Sequence, residues 1–278
     1  MSNLAFRFLT AAIGVPVILA ILYLAPLWGW YLLCGASMAV AAAEFFGMTH
    51  PGDRPGQVLG TLLSVGVFSL LCYTRFGETR PTVMLFAVLA LVPLALLFAL
   101  ARPRELPTAL PRTTALVFGP LYVGAGMAAL AALRTVGTGT QGAGLALMTM
   151  MIAWFSDTGG YFAGKNIGGP KLYPEVSPNK TWSGGVGGVL GSMLGAAFAH
   201  FVYLRELPLV PGLLLAAAAG VFGQVGDFCE SALKRSAGVK DSGGILPGHG
   251  GILDRVDALL FAALVVYGVC RAGLLQLG

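Results

Sequence analysis

The sequence predicts an all-α, polytopic integral membrane protein of about nine transmembrane helices, and three observations support this. Of 278 residues, 56% are hydrophobic and 10% charged, against roughly 25% charged in a soluble domain. Windows of the ~20 apolar residues that a helical span needs follow one another almost end to end, without the alternation of barrel strands. Glycine, at 40 of 278, is about twice its usual share of ~7%, as expected where membrane helices approach closely or break beside cavities.

Taken in order, the spans lie near residues 8–25, 28–48, 57–74, 81–101, 114–133, 142–164, 185–204, 209–229 and 256–276. Prolines punctuate the connections: Pro26, then Pro51 and Pro55, Pro81, the Pro103, Pro107, Pro111 series, and Pro208 with Pro211. The first run follows Arg7 as a signal peptide would. It exceeds the usual h-region of about 7–15 residues, and a second span follows at once, so it reads as a retained helix. Neither a soluble domain nor an internal repeat interrupts the series. Residues 1–278 thus read as one membrane domain, in which 1–140 form a lipid-facing scaffold and 141–278 carry the chemistry. Cys34, Cys72, Cys229 and Cys270 are far apart and form no C-x-x-C pair, so they read as small buried hydrophobes.

Charge orients the chain. With nine spans, the side shared by the N-terminus and the connections after even-numbered spans holds twelve of the 17 Lys and Arg residues. By the positive-inside rule that side is cytoplasmic. The two longest polar connections, 165–184 and 230–255, then open to the cytoplasm, where nucleotides are.

The acids are the second clue. Asp157 interrupts "MMIAWFSDTGGYF", Asp227 and Glu230 close the eighth span, and Asp254 and Asp257 open the ninth. An aspartate at the centre of a membrane helix costs about 2.5–3.5 kcal/mol, so these groups should face a cavity, a cation or each other. Each i,i+3 pair shares one helix face. Two such acidic edges flanking one glycine-rich basic loop suit Mg²⁺, which takes carboxylate oxygens, keeps waters and shares its shell with substrate phosphates. Internal pairing with Lys234, Arg235 and Arg255 is the plainer alternative.

The loop itself, "KRSAGVKDSGGILPGHGGILDRVD", gathers Lys234, Arg235 and Lys240 around Gly243, Gly244, Gly248, Gly250 and Gly251. Such glycines let backbone N–H groups approach an anion, although no Walker motif is present. His249 reads two ways, as a phosphate donor or acid–base group, or as a locally satisfied loop histidine. In the other connection Lys165, Lys171 and Lys180 also lie among glycines. A positive-inside loop explains them but leaves the buried Ser156-Asp157-Thr158 triplet unexplained. Tyr161, Tyr173 and Trp182 read as interfacial anchors.

At these residues a resemblance emerges. "SALKRSAGVKDSGGILPGHGGILDRVD", Ser231 to Asp257, closely resembles the signature of the phosphatidate cytidylyltransferases (CDP-diacylglycerol synthases), with S-x-x-K-R, K-D, P-G-H-G-G and D-R-x-D in order. "SDTGGYFAGKNIGGPKL" and "SPNKTWSGG" resemble upstream blocks of that family, so the similarity is strong over about 150–257. "RFLTAAIG" and Glu44 are fainter echoes. Ser183 stands where the family usually has Glu, and no role of that glutamate carries over.

The resemblance implies an Mg²⁺-dependent transfer in which CTP and phosphatidic acid give CDP-diacylglycerol and pyrophosphate at a bacterial inner membrane, with the site facing the cytoplasm. It implies catalytic roles for Asp227, Asp254, Asp257, Lys234 and Arg235, and metal ligation by Asp227, Asp254, Glu230 and Asp257. Substrate contacts would come from Asp157, Lys165, Lys180, Ser231, Lys240, Asp241, His249, Gly250, Gly251 and Arg255. No nucleic-acid partner is expected, and a homodimer is compatible with the reading. A transporter of a phosphorylated or nucleotide substrate would also place charges in broken spans, but in two symmetric halves, whereas these acids crowd into 157–257. A CDP-alcohol phosphotransferase would need a D-G-x-x-A-R pattern that is missing.

The orientation is directly testable with single cysteines at Gly168 and Ser242. Both should resist an impermeant thiol reagent added outside intact cells, and selective labelling of both from outside would reverse the assignment.

Overall fold

Backbone polar groups have no water to bond in a bilayer, so apolar runs must close their hydrogen bonds within helices. The computed structural model describes residues 3–73, 81–102, 106–245, 250–275 and 277, and these are helical almost throughout. The helices are α1 (Asn3–Leu24), α2 (Leu27–Thr49), α3 (Arg54–Tyr73), α4 (Pro81–Leu100), α5 (Leu106–Gly119), α6 (Gly126–Leu133), α7 (Gln141–Asn166), α8 (Trp182–Val202), α9 (Leu209–Ser236) and α10 (Leu253–Arg271). A π-helical segment, Pro120–Ala125, joins α5 to α6 in one continuous rod. Pro120 has no N–H to donate, and the ladder widens there.

Counting that rod once gives the nine helical segments expected, among the described residues. Six of them are long and apolar enough to cross a membrane (α2, α3, α4, the α5–α6 rod, α8 and α9), and Ala12–Leu24 of α1 is apolar but shorter. Outside that set stand α7 and α10, the helices bearing Asp157 and the Asp254, Arg255, Asp257 group. The fold is an all-α, polytopic membrane architecture.

Two features depart from the sequence expectation. Helix α9 runs on to Ser236, so Glu230, Lys234 and Arg235 are helical rather than in a loop. An i,i+4 ion pair between Glu230 and Lys234 lies along that extension. The 165–184 connection also contains a small antiparallel hairpin, β1 (Lys171–Tyr173) and β2 (Ser177–Thr181), with Lys171 opposite Thr181 and Tyr173 opposite Ser177.

The chain divides into two compact units: Met1–Ala132 with Asp241–Asp254, and Leu133–Lys240 with Arg255–Gly278. In the first, Phe45 and Phe46 of α2 are buried and stack edge to face, 5.1 Å apart, and Phe45 meets Phe118 and Tyr122 of the α5–α6 rod. Trp30 Nε1 donates to the Ala131 carbonyl at 3.2 Å, giving the indole the partner a buried Trp requires. Asp53, buried between α2 and α3, accepts from Arg102 at 2.5 Å and from the Gly56 N–H at 3.1 Å, with Arg112 3.4 Å away. Burial alone would raise the Asp53 carboxyl, but these hydrogen bonds and the two guanidinium charges hold it below its ordinary value.

In the second unit, α7 and α8 pack almost backbone to backbone. A methyl group at Gly191 would strike the Phe155 carbonyl oxygen, and one at Gly159 the Gly187 carbonyl oxygen. Ser192 Oγ crosses the same interface to the Ile152 carbonyl at 3.2 Å. Small residues plus an interhelical hydroxyl bond are the usual means of helix association in lipid. Of the cysteines, all free, Cys34 and Cys72 are buried as expected, whereas Cys229 is exposed and Cys270 half-buried.

Two outcomes follow from this packing. His50, fully buried at the end of α2, has its pKa pushed down to about 4, first by burial and then by Arg112 and Arg102, against an opposing pull from Asp53. The folded imidazole therefore stays neutral where the unfolded one takes a proton, so stability should fall as pH drops from about 6.5 to about 4. Unfolding midpoints against pH should show this slope in the wild type and a shallower one in His50→Gln, and equal slopes would contradict the account. Gly191→Ala should cost about 1–3 kcal/mol through overpacking, seen as a lower unfolding midpoint, and an unchanged midpoint would remove the close-approach argument.

Candidate functional site

The second unit contains a cavity of about 510 Å³, within the ~300–1,000 Å³ range of small-molecule sites. Helix α7 contributes Ser156, Asp157, Gly160, Tyr161, Gly164 and Lys165 to its lining. The hairpin adds Leu172, Asn179, Lys180 and Thr181, α8 adds Gly184 and Gly185, and α9 adds Gln224, Asp227 and Phe228. The glycines that let α7 and α8 approach continue into this wall, leaving backbone where side chains would otherwise fill the space.

The hairpin positions the key cation. Thr181, the last residue of β2, caps α8 by accepting from the Gly184 N–H at 3.1 Å, which satisfies one of the orphan donors of that helix. Ser183 Oγ donates to the Gly168 carbonyl and lies 3.0 Å from Thr181 Oγ1. Ser183 therefore ties the end of α7 to the start of α8. With β2 fixed in this way, Lys180 forms an ion pair with Asp227 and places its ammonium 4.4 Å above the Phe228 ring, a cation–π contact. Gln224 Nε2 donates to the Gly185 carbonyl at 3.1 Å and links α9 to α8 beside the pair.

Several residues predicted from sequence do meet in this unit. Asp157 and Lys165 line the same cavity as Lys180 and Asp227, and Lys165 Nζ lies 3.4 Å from Tyr161 Oη. Ser231 Oγ is 3.4 Å from Asp227 Oδ1. Asp257 is within electrostatic reach of Asp227, Glu230 and Asp157, and Asp157 of Lys180 and Arg255. Asp257 Oδ1 accepts from the Ala258 N–H at 2.7 Å. Other residues have different engagements. Glu230, fully buried, pairs with Lys234, and Arg235 donates to the Val239 carbonyl at 3.2 Å, closing the end of α9. Lys240 and Arg255 are exposed. Of the triplet expected to be buried only Ser156 is; Asp157 opens onto the cavity and Thr158 is exposed, its hydroxyl bonded back to the Trp154 carbonyl at 2.8 Å.

Asp241, Gly250, Gly251 and Asp254 belong to the first unit, so Asp254 and Asp227 are not partners within either unit. Asp254 Oδ2 accepts from the Ser242 N–H at 3.0 Å, the Ser242 hydroxyl at 2.9 Å and the Gly251 N–H at 2.8 Å. Gly250, with φ at 74°, makes the turn that brings the Gly251 N–H round to it; a residue with a Cβ is strained there. Asp241 is exposed, and His249 lies outside the described residues. Because Ser242 is buried, the exposed Gly244 is the better labelling position in this segment.

A residue the sequence left without a role now joins the account. Glu44 of α2 is buried and accepts from the Ile252 N–H at 3.1 Å, the Leu253 N–H at 2.8 Å and the Ser242 hydroxyl at 3.2 Å. Its sequence signals were a charge inside an otherwise apolar span and a faint family echo, neither of which names a partner.

The donor chemistry fits a hard cation. Asp157, Asp227, Ser156 and Gln224 present oxygens at the cavity wall, and sulfur and imidazole are absent from that lining. Among the described residues no group of three or more His, Cys, Asp or Glu forms a ready-made cage. Two carboxylates at one wall, Asp157 and Asp227, match the donor set of Mg²⁺, which is usually held by one or two carboxylates with waters and substrate phosphates completing the shell.

The fold and this site define a helical membrane protein with a cavity whose wall carries lysines and carboxylates. Residues 5–272 match the cytidylyltransferase family, and the chain belongs to it. Among curated relatives, the phosphatidate cytidylyltransferase of Bacillus subtilis (strain 168) is 49% identical over 117 residues, 42% of this chain and 44% of the relative. The phosphatidate cytidylyltransferase of Brucella suis biovar 1 is 42% identical over 155 residues, 54% of each chain. That of Staphylococcus haemolyticus is 42% identical over 140 residues, 50% of this chain and 52% of the relative. The chain spans about half the length of the curated relatives it matches.

Proposed function

We propose that this protein is a phosphatidate cytidylyltransferase. In that reaction a phosphate oxygen of phosphatidic acid attacks the α-phosphorus of CTP, the α–β phosphoanhydride bond breaks, and pyrophosphate leaves as CDP-diacylglycerol forms. The observation that carries the reading is the Lys180–Asp227 pair at the wall of a 510 Å³ cavity, in a chain of the cytidylyltransferase family.

The chemistry asks little of a general base, because the attacking phosphate is already ionised. It asks for positioning and for cationic charge between two anions. Lys180 supplies such a charge, and Lys165 supplies another on the same cavity. Asp227, with Asp157 on the facing helix, would hold Mg²⁺, which when bound polarises phosphoryl oxygens and offsets the charge of the leaving group. The assignment of Asp254 as a further ligand rests on the D-R-V-D pattern of the sequence, and Asp257 and Glu230 are assigned supporting roles around Asp227. Glycine-rich backbone at Gly160, Gly164, Gly184 and Gly185 leaves room for a nucleotide against the wall. From the distribution of Lys and Arg we assign the site to the cytoplasmic side of a bacterial inner membrane.

Purified protein in detergent with phosphatidate, Mg²⁺ and labelled CTP should yield a lipid-soluble cytidine product. Asp227→Asn and Asp254→Asn should each lower turnover roughly a hundredfold or more, the loss of several kcal/mol of transition-state stabilisation. Near-normal turnover with an unchanged Mg²⁺ requirement in both would sink the metal assignment. Lys180→Ala should chiefly raise the KM for CTP, and wild-type rates at subsaturating CTP would remove the lysine from the site.

A further inference from the structure

We infer that Glu44 is a positioning residue for the reaction, holding Ser242 and the Ile252 and Leu253 backbone in the arrangement that presents Asp254; the inference rests on the cytidylyltransferase reading above. Four observations within the first unit point to this. The Glu44 carboxylate accepts from the Ile252 and Leu253 N–H groups, at 3.1 and 2.8 Å. These are donors at the start of α10 that have no intrahelical partner, and a carboxylate there also answers the positive end of the helix. The Ser242 hydroxyl lies 3.2 Å from Glu44 Oε2 and 2.9 Å from Asp254 Oδ2, so one hydroxyl proton is shared between the two carboxylates and links them. The same Asp254 oxygen takes the Ser242 and Gly251 N–H groups, so its position depends on the backbone that Glu44 holds. Finally, a Cβ at Gly243 or at Gly251 would collide with the Glu44 carboxyl group, which gives these two glycines a packing reason to be glycine.

A merely structural anchor and a positioning residue make different predictions. Helix α2 already packs through Phe45, Phe46 and Trp30, which are buried independently of Glu44, so loss of the carboxylate should leave the fold of the first unit in place. What it should change is the order of 250–254 and the work of Asp254. Outer groups that orient a metal-binding carboxylate are worth about 10–100-fold in activity or metal affinity, and Glu44 should fall in that range.

The test uses the full chain in detergent, as Glu44→Gln, Glu44→Asp and Glu44→Ala, with hydrogen exchange and steady-state kinetics measured together. In Glu44→Gln, which keeps the shape but offers the backbone fewer acceptor sites, amides 251–253 should exchange faster while those of α2 stay protected. Its turnover should fall about tenfold or more, and its half-saturating Mg²⁺ concentration should rise. Glu44→Asp should recover part of both losses. Unchanged exchange at 251–253 in Glu44→Gln and Glu44→Ala would overturn the tether. Faster exchange with wild-type turnover and Mg²⁺ dependence would overturn the positioning role. If Glu44→Ala fails to fold, the isosteric Glu44→Gln decides both points. Should the wild type itself form no lipid-soluble product, it is the reaction assigned above that fails, and exchange still decides whether Glu44 holds the segment.

Discussion

A carboxylate taken out of water must meet a cation or several hydrogen-bond donors, and in a chain only 10% charged that requirement organises the polar parts of the structure. Asp53 is met by Arg102, Arg112 and the Gly56 N–H; Glu230 by Lys234; Asp227 by Lys180; Glu44 by two backbone N–H groups and a serine hydroxyl. Each solution fixes a different piece of chain. The first joins the α2–α3 turn to Arg102, just past α4, and to Arg112 within α5, the second lies along the last two turns of α9, the third pins the hairpin to α9, and the fourth seats the start of α10.

The solutions differ in what they leave available for chemistry. Glu230 and Lys234 are buried and turned toward each other, which suits a structural pair whose separation would be costly. Lys180 and Asp227 are about a third and a quarter exposed and lie at a cavity wall, so an incoming anion can reach the lysine and an incoming cation the carboxylate. This pair is compensated before substrate arrives, yet neither member is locked away. The close α7–α8 packing through Gly159, Gly187 and Gly191 supplies the rigid wall against which such an exchange of partners could be made.

Much of the fold was legible because bilayer-length apolar windows leave a chain few options. The misplaced end of α9 shows the limit: Lys234 and Arg235 read as a loop because charges usually end a span, but Glu230 lies one helical turn before Lys234 and cancels its charge. The hairpin escaped notice because strands of three and five residues, the second containing Pro178, carry little periodicity, so Lys180 stood among lysines that a positive-inside loop explained equally well. Asp157, Lys165, Lys180, Ser231 and Asp227 could be picked by residue type and motif, and they do meet. Glu44 could not be assigned a role, since its partners lie 198 to 209 residues away in sequence, and a lone charge in a span carries no mark of its distant donors. The placement of 241–254 with the first unit was hidden for the same reason.

The most direct measurement of the central claim follows the two ends of the nucleotide separately. Purified protein with phosphatidate and Mg²⁺ would be given CTP labelled either at the α-phosphorus or at the γ-phosphorus. The account predicts that the α label enters the organic phase with the lipid and the γ label stays in water as pyrophosphate, both signals depending on Asp227. Absence of α label from the lipid, or appearance of γ label there, would contradict it.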